Sequence, residues 1–73
     1  MAITYKGDTA FFDNTCSVEE AEEFVEWLKS TKVPKIDLDK MEHMHTALFQ
    51  AILFFRPKII KYPKEQFWQE ILC

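Results

Sequence analysis

The chain has 73 residues and a formal net charge of −3, so it is read as one domain spanning residues 1–73. The acids bunch between Glu19 and Glu26, and the lysines Lys58, Lys61 and Lys64 are too sparse to form the basic stripe that nucleic acid demands. Cys16 and Cys73 are too few for a disulfide framework and are read as free thiols of a cytoplasmic protein, and the longest apolar run, residues 51–55, falls far short of the roughly 20 residues that cross a bilayer.

In chain order, Ile3-Thr4-Tyr5 alternates and leads into Lys6-Gly7-Asp8, which holds the only glycine. Thr9-Ala10-Phe11-Phe12 follows, and the pair reads as a β-hairpin on a tight turn. Ser17-Val18-Glu19-Glu20 has the form of a capping box, with the Ser17 hydroxyl accepting from the Glu20 N–H and the Glu20 side chain reaching back to Ser17. Val18, Ala21, Phe24, Val25 and Leu28 then recur on one helical face. Five glutamates occupy the early turns and Lys29 and Lys32 the end, the order a helix dipole favours.

Lys35-Ile36-Asp37-Leu38 is a short strand. Residues 46–55 are almost wholly apolar, interrupted only by Gln50, and their alanines and leucines favour a helix that is buried on most sides or docks on something. Arg56 closes it and Pro57 prevents continuation. Ile59-Ile60-Lys61-Tyr62 is a strand, and Pro63 opens a last helix whose Phe67, Trp68, Ile71 and Leu72 share one apolar face. The order is β-β-α-β-α-β-α. Strand–helix–strand occurs twice running, which implies parallel neighbours with right-handed crossovers. The expected fold is therefore α/β, a mixed four-stranded sheet with helices against it.

The stretch Met41-Glu42-His43-Met44-His45-Thr46-Ala47 concentrates polar chemistry, and it is expected to be the loop from a parallel strand into a helix. Carboxyl ends of strands are where α/β sheets usually place their sites. Two imidazoles with Met41, Met44 and Glu42 offer soft or borderline metal ligands, yet a closed zinc site needs four held at fixed geometry. His45 beside Asp37, Asp39 or Glu42 offers an acid–base pair, but no nucleophile motif or glycine-rich phosphate loop accompanies it. The expectation is therefore a protein that is not an enzyme, with no metal and no cofactor. A small metal or enzymatic protein using His43 and His45 stands as an alternative.

The run from Ile36 to Leu48 resembles the central motif of STAS domains, the family of anti-sigma factor antagonists. That motif is an apolar-Asp-Leu strand, a short loop, and Asp-Ser/Thr-Ser/Ala-Gly at the start of a helix. The order of elements along nearly the whole chain fits as well. His45 stands where the family has Asp, and Leu48 where it has Gly. The resemblance implies a STAS-like fold and a regulatory module, not embedded in a membrane, that binds another protein such as a regulatory kinase or a transporter subunit; the alternative it implies is a soluble accessory subunit of a transporter or a ligand-binding STAS module. It also implies that Thr46 is the phosphorylation site, in a position where a phosphate would meet the free N–H groups of a helix N-terminus. The bare structural role of Thr46 is an N-cap hydroxyl, worth about 1 kcal/mol. The expected partner surface comprises Glu42, His43, His45, Thr46 and Phe49 on the exposed side of the helix. A homodimer that buries Phe67 and Trp68 is a further expectation.

Overall fold

The computed structural model describes residues 2–72. Its elements are β1 (Ile3–Lys6), β2 (Thr9–Cys16), a 3₁₀ turn (Val18–Glu20), α1 (Ala21–Ser30), β3 (Lys35–Met44), α2 (Thr46–Phe55), β4 (Lys58–Lys61) and α3 (Gln66–Leu72). The expected order β-β-α-β-α-β-α is the one found, and the sheet is mixed and four-stranded in the order β1-β2-β3-β4. β1 and β2 are antiparallel, whereas β2–β3 and β3–β4 are parallel.

The hairpin turns on two residues, Gly7 and Asp8, between the paired Lys6 and Thr9. Gly7 takes φ +62°, a conformation that a side chain would strain. The turn is tied to the start of β3, because Lys35 N–H donates to the Asp8 carbonyl (2.8 Å) and Lys35 Nζ lies 3.0 Å from Asp8 Oδ2. That ammonium holds the Asp8 carboxyl below its usual range.

β2 and β3 are each longer than the alternating patterns 9–12 and 35–38 suggested. Ala10 pairs with Ile36, Asn14 with Met41 and Cys16 with Met44, so β3 gains one extra residue over β2 at each of two register shifts. These are β-bulges. They bring Ile36, Leu38, Met41 and Met44 to the same buried face although the last three are spaced by three residues. Asn14 adopts φ +52° beside the second bulge.

That face is covered by α1 and α2 and forms the core. Phe12 meets Phe24 edge-on with ring centres 5.2 Å apart, and Phe24 stacks on Trp27, which in turn packs on Tyr5. Leu28, Leu48, Ala51 and Ile52 complete the helix contributions. The opposite face is the more open one among the described residues. It carries Thr4, Lys6, Phe11, Asp13, Asp37 and Lys61 around a shallow depression of about 390 Å³.

Several local expectations change. The capping box does not form: Ser17 makes no side-chain cap, and the Glu20 carboxylate instead accepts from the backbone N–H groups of Ala2 (3.1 Å) and Ile3 (3.0 Å). A carboxylate satisfies two strand-end donors better than one helix-end donor, since charge-assisted bonds are the stronger kind. Val18 lies in the 3₁₀ turn and is exposed rather than on the apolar helix face. α1 ends at Ser30, where Thr31 Oγ1 donates to the Trp27 carbonyl at 2.6 Å. α3 starts at Gln66, not Pro63. Pro63 is buried in the connection, and its carbonyl accepts from Gln69 Nε2 at 2.7 Å.

Candidate functional site

The bulges carry β3 on to Met44, so the expected loop of Glu42 to Thr46 shrinks to one residue. Glu42 and His43 are strand residues, Thr46 is the first residue of α2, and His45 alone joins the two. The join is fixed to the end of β2: Cys16 pairs with Met44, and His45 N–H donates to the Cys16 carbonyl at 2.9 Å. Met41 and Met44 point into the core, so the methionines of this stretch are packing residues.

His45 takes extended backbone angles (φ −65°, ψ 149°), and its Nδ1 accepts from the Ala47 N–H at 3.0 Å. The N-cap of α2 is therefore the imidazole and not the Thr46 hydroxyl. This requires the tautomer with the proton on Nε2. The His45 carbonyl takes the next donors, Leu48 N–H at 3.0 Å and Phe49 N–H at 3.2 Å. Thr46 is exposed, and no acidic residue occupies the first turn. A phosphate on it would sit at the positive end of a ten-residue helix with no carboxylate in that turn to repel it.

The five expected surface residues are not equivalent. Glu42, His43, His45 and Thr46 are exposed. Phe49 is half-buried, and its ring meets Trp68 of α3 at 5.8 Å, so it buttresses the corner from the side and is not an open anchor. Trp68 also lies 5.9 Å from the His43 ring and 5.2 Å from Phe67. Trp68 is itself only 8 % exposed, whereas Phe67 remains 61 % exposed. Of the two aromatics expected to be buried in a dimer, the tryptophan is already used within the chain. Sequence reasoning missed this cover. The signal was there in an apolar helix with a bare Phe49 and a short terminal helix with a tryptophan to place.

Among the described residues no group of three His, Cys, Asp or Glu side chains is gathered to hold a metal ion. His45 spends Nδ1 on the helix, His43 lies against an indole, and neither is hydrogen-bonded to a carboxylate among the described residues. Asp37 instead accepts from the Asp39 N–H at 3.0 Å. No helix among the described residues is long and apolar enough to cross a membrane. No protein-family model matches the chain, and no curated protein matches it.

Proposed function

We propose that the protein is a small regulatory module of STAS type that binds another protein through the corner where β3 meets α2, with Thr46 as its switch. The observation that carries this reading is the exposed Thr46 in the first turn of α2, one residue beyond a parallel strand. Glu42, His43, His45 and Thr46 form the contact surface, and Phe49 and Trp68 stiffen it from behind. The hydroxyl is not consumed by capping, because His45 does that work. It is therefore free for transfer of a phosphoryl group from a kinase-type partner. The added charge, near −2, would alter docking without dismantling the helix. A corner tied by backbone bonds to β2 and β3 moves little, which suits rigid recognition.

The test uses the intact chain as bait, in wild-type, Thr46→Ala and Thr46→Glu forms, with intact-mass analysis after capture. The wild type and Thr46→Ala should hold a partner that Thr46→Glu releases, and the wild type alone should acquire the mass of a phosphoryl group. Equal capture by all three forms would show that docking happens elsewhere.

A further inference from the structure

The two outer surfaces of the molecule carry gradients of charge. On the more open face of the sheet, side chains alternate with the buried Ala10, Phe12, Ile36 and Leu38. The register sets Lys6, Thr9, Lys35 and Lys58 in one row across the four strands at the hairpin end. Thr4, Phe11, Asp37 and Lys61 form the next row, and the Lys6 ammonium lies 5.8 Å from the centre of the Phe11 ring. Asp13 and Asp39 follow further along β2 and β3, with Lys40 beside them. The face is thus basic at the hairpin end and leans acidic at the other. On the far side of the molecule α1 turns Phe24 and Leu28 inward and leaves Glu22, Glu23 and Glu26 exposed, with Glu19 exposed in the turn before them. Lys29 closes the helix 3.9 Å from Glu26, and the exposed Lys32 follows it.

We propose that these two surfaces bind each other between copies of this chain, α1 of one copy lying along the open sheet face of the next. Its glutamates rest over Lys6, Lys58 and Lys61, and its Lys29 and Lys32 over Asp13 and Asp39. The signs are complementary at both ends. The lengths agree as well: Glu22 to Lys29 covers about 10 Å of helix, and Lys35 to Asp39 about 13 Å of strand. The charges are available. Among the described residues Lys6, Lys58, Lys61, Asp13 and Asp39 take part in no ion pair, and neither do Glu22 and Glu23. Lys35 is already held by Asp8, and Glu20 by the strand-end N–H groups. The fold adds a reason for helical cover. Parallel neighbours such as β2, β3 and β4 usually carry helices on both faces, and α1 and α2 pack on the same one.

Other pairings of two copies fit less well. Packing α1 against α1 sets glutamates against glutamates, and like charges facing one another are unfavourable. Sheet against sheet with antiparallel strands would match the gradients, but sheets pack face to face through apolar side chains. Among the residues lining the depression on this face, Phe11 is the exposed large apolar one. A helix is about 10 Å wide and covers about two strands, so the lysine ammonium groups stay in water at its flanks. The two surfaces differ and face opposite ways. The contact is therefore heterologous and repeats from copy to copy instead of closing into a pair. Resting on exposed charge, it is weak and sensitive to salt.

The experiment is sedimentation velocity of the intact protein up to about 1 mM, where weak contacts are populated, at about 20 mM and about 500 mM salt. At low salt the weight-average coefficient should climb with concentration past that of a dimer, and high salt should weaken the association roughly tenfold or more. Lys6→Glu with Lys58→Glu, and Glu22→Lys with Glu26→Lys, should each stay monomeric, with circular dichroism showing them folded. An equimolar mixture of these two proteins should associate again, because each offers the charge that the other has lost. If a double variant does not fold, Lys58→Gln and Glu22→Gln take its place, and each should weaken association at least about threefold. The proposal is overturned by a wild type that stays monomeric, by association that stops at a dimer, or by a mixture that does not associate. Association that survives in the Glu22→Lys, Glu26→Lys protein also overturns it and reassigns the sheet face to a symmetric pair. Thr46 and its corner are untouched by these variants, so failure here is separate from failure of the docking corner.

Discussion

Replacing His45 with aspartate should stabilise the fold, and replacing it with alanine should weaken it. The imidazole caps α2 through one bond from Nδ1 to the Ala47 N–H, and the first turn holds no acid. Aspartate is among the strongest N-cap residues and reaches the same donors. Its charge adds a favourable interaction with the helix dipole of about 0.3–1 kcal/mol. Alanine removes the cap, at a cost of about 1 kcal/mol. In a domain of this size 1 kcal/mol moves Tm by roughly 4–8 °C. Thermal unfolding followed by circular dichroism should therefore order the three proteins Asp above His above Ala, with the gain from Asp shrinking in high salt. His45→Ala matching wild type would mean that the imidazole does not cap the helix. His45→Asp falling below wild type would mean that the join has some other role for the ring.

Three further outcomes follow from the core. Tyr5 buries its hydroxyl with no hydrogen-bond partner among the described residues, and burial, with Glu23 and Glu20 nearby, pushes its pKa far above the usual range; Tyr5→Phe should be neutral or stabilising by up to about 1 kcal/mol in urea unfolding. Burial, followed by the charges of Glu20 and Asp13, pushes the Cys16 thiol up to about 11 from 9.0. The folded state favours the neutral thiol, so its contribution to stability is complete below about pH 9 and is lost as pH rises through about 11; a Cys73→Ser protein should resist iodoacetamide at pH 8 until denaturant is added. Glu20→Ala leaves the N–H groups of Ala2 and Ile3 without their shared acceptor and should cost about 1.5–3 kcal/mol, with amide exchange accelerated first in β1.

The elements with a clean period were legible in the residues. Phe24 and Leu28 on α1, Gly7 in the hairpin and the Arg56-Pro57 stop all lie where their chemistry put them. What escaped was β3. Leu38, Met41 and Met44 are spaced like residues on a helix, and only pairing with β2, whose buried Ala10, Phe12 and Cys16 keep the even-numbered intervals of a strand, makes them a strand face. A bulge is a relation between two strands and leaves no mark on one of them alone. The strand-to-helix join falls at His45, inside the stretch expected to hold it, but the cap is the imidazole and not the expected Thr46 hydroxyl. Imidazole is an uncommon capping group, and motif reading favours Ser and Thr. Glu20 shows the same limit in reverse: the local motif was present, and a distant strand end claimed the carboxylate.

Among the described residues β4 pairs with β3 from Lys35 to Asp37 only, so the remaining length of β3 has β2 on one side and no strand on the other. The start of α3 borders Lys40 to Glu42 there, and Trp68 meets the His43 ring edge-on. The terminal helix thus serves as a bumper for the sheet. If Trp68 were pulled away, seven residues of ribbon would offer their amide and carbonyl groups to any extended chain nearby, and stacking into filaments would compete with the native fold.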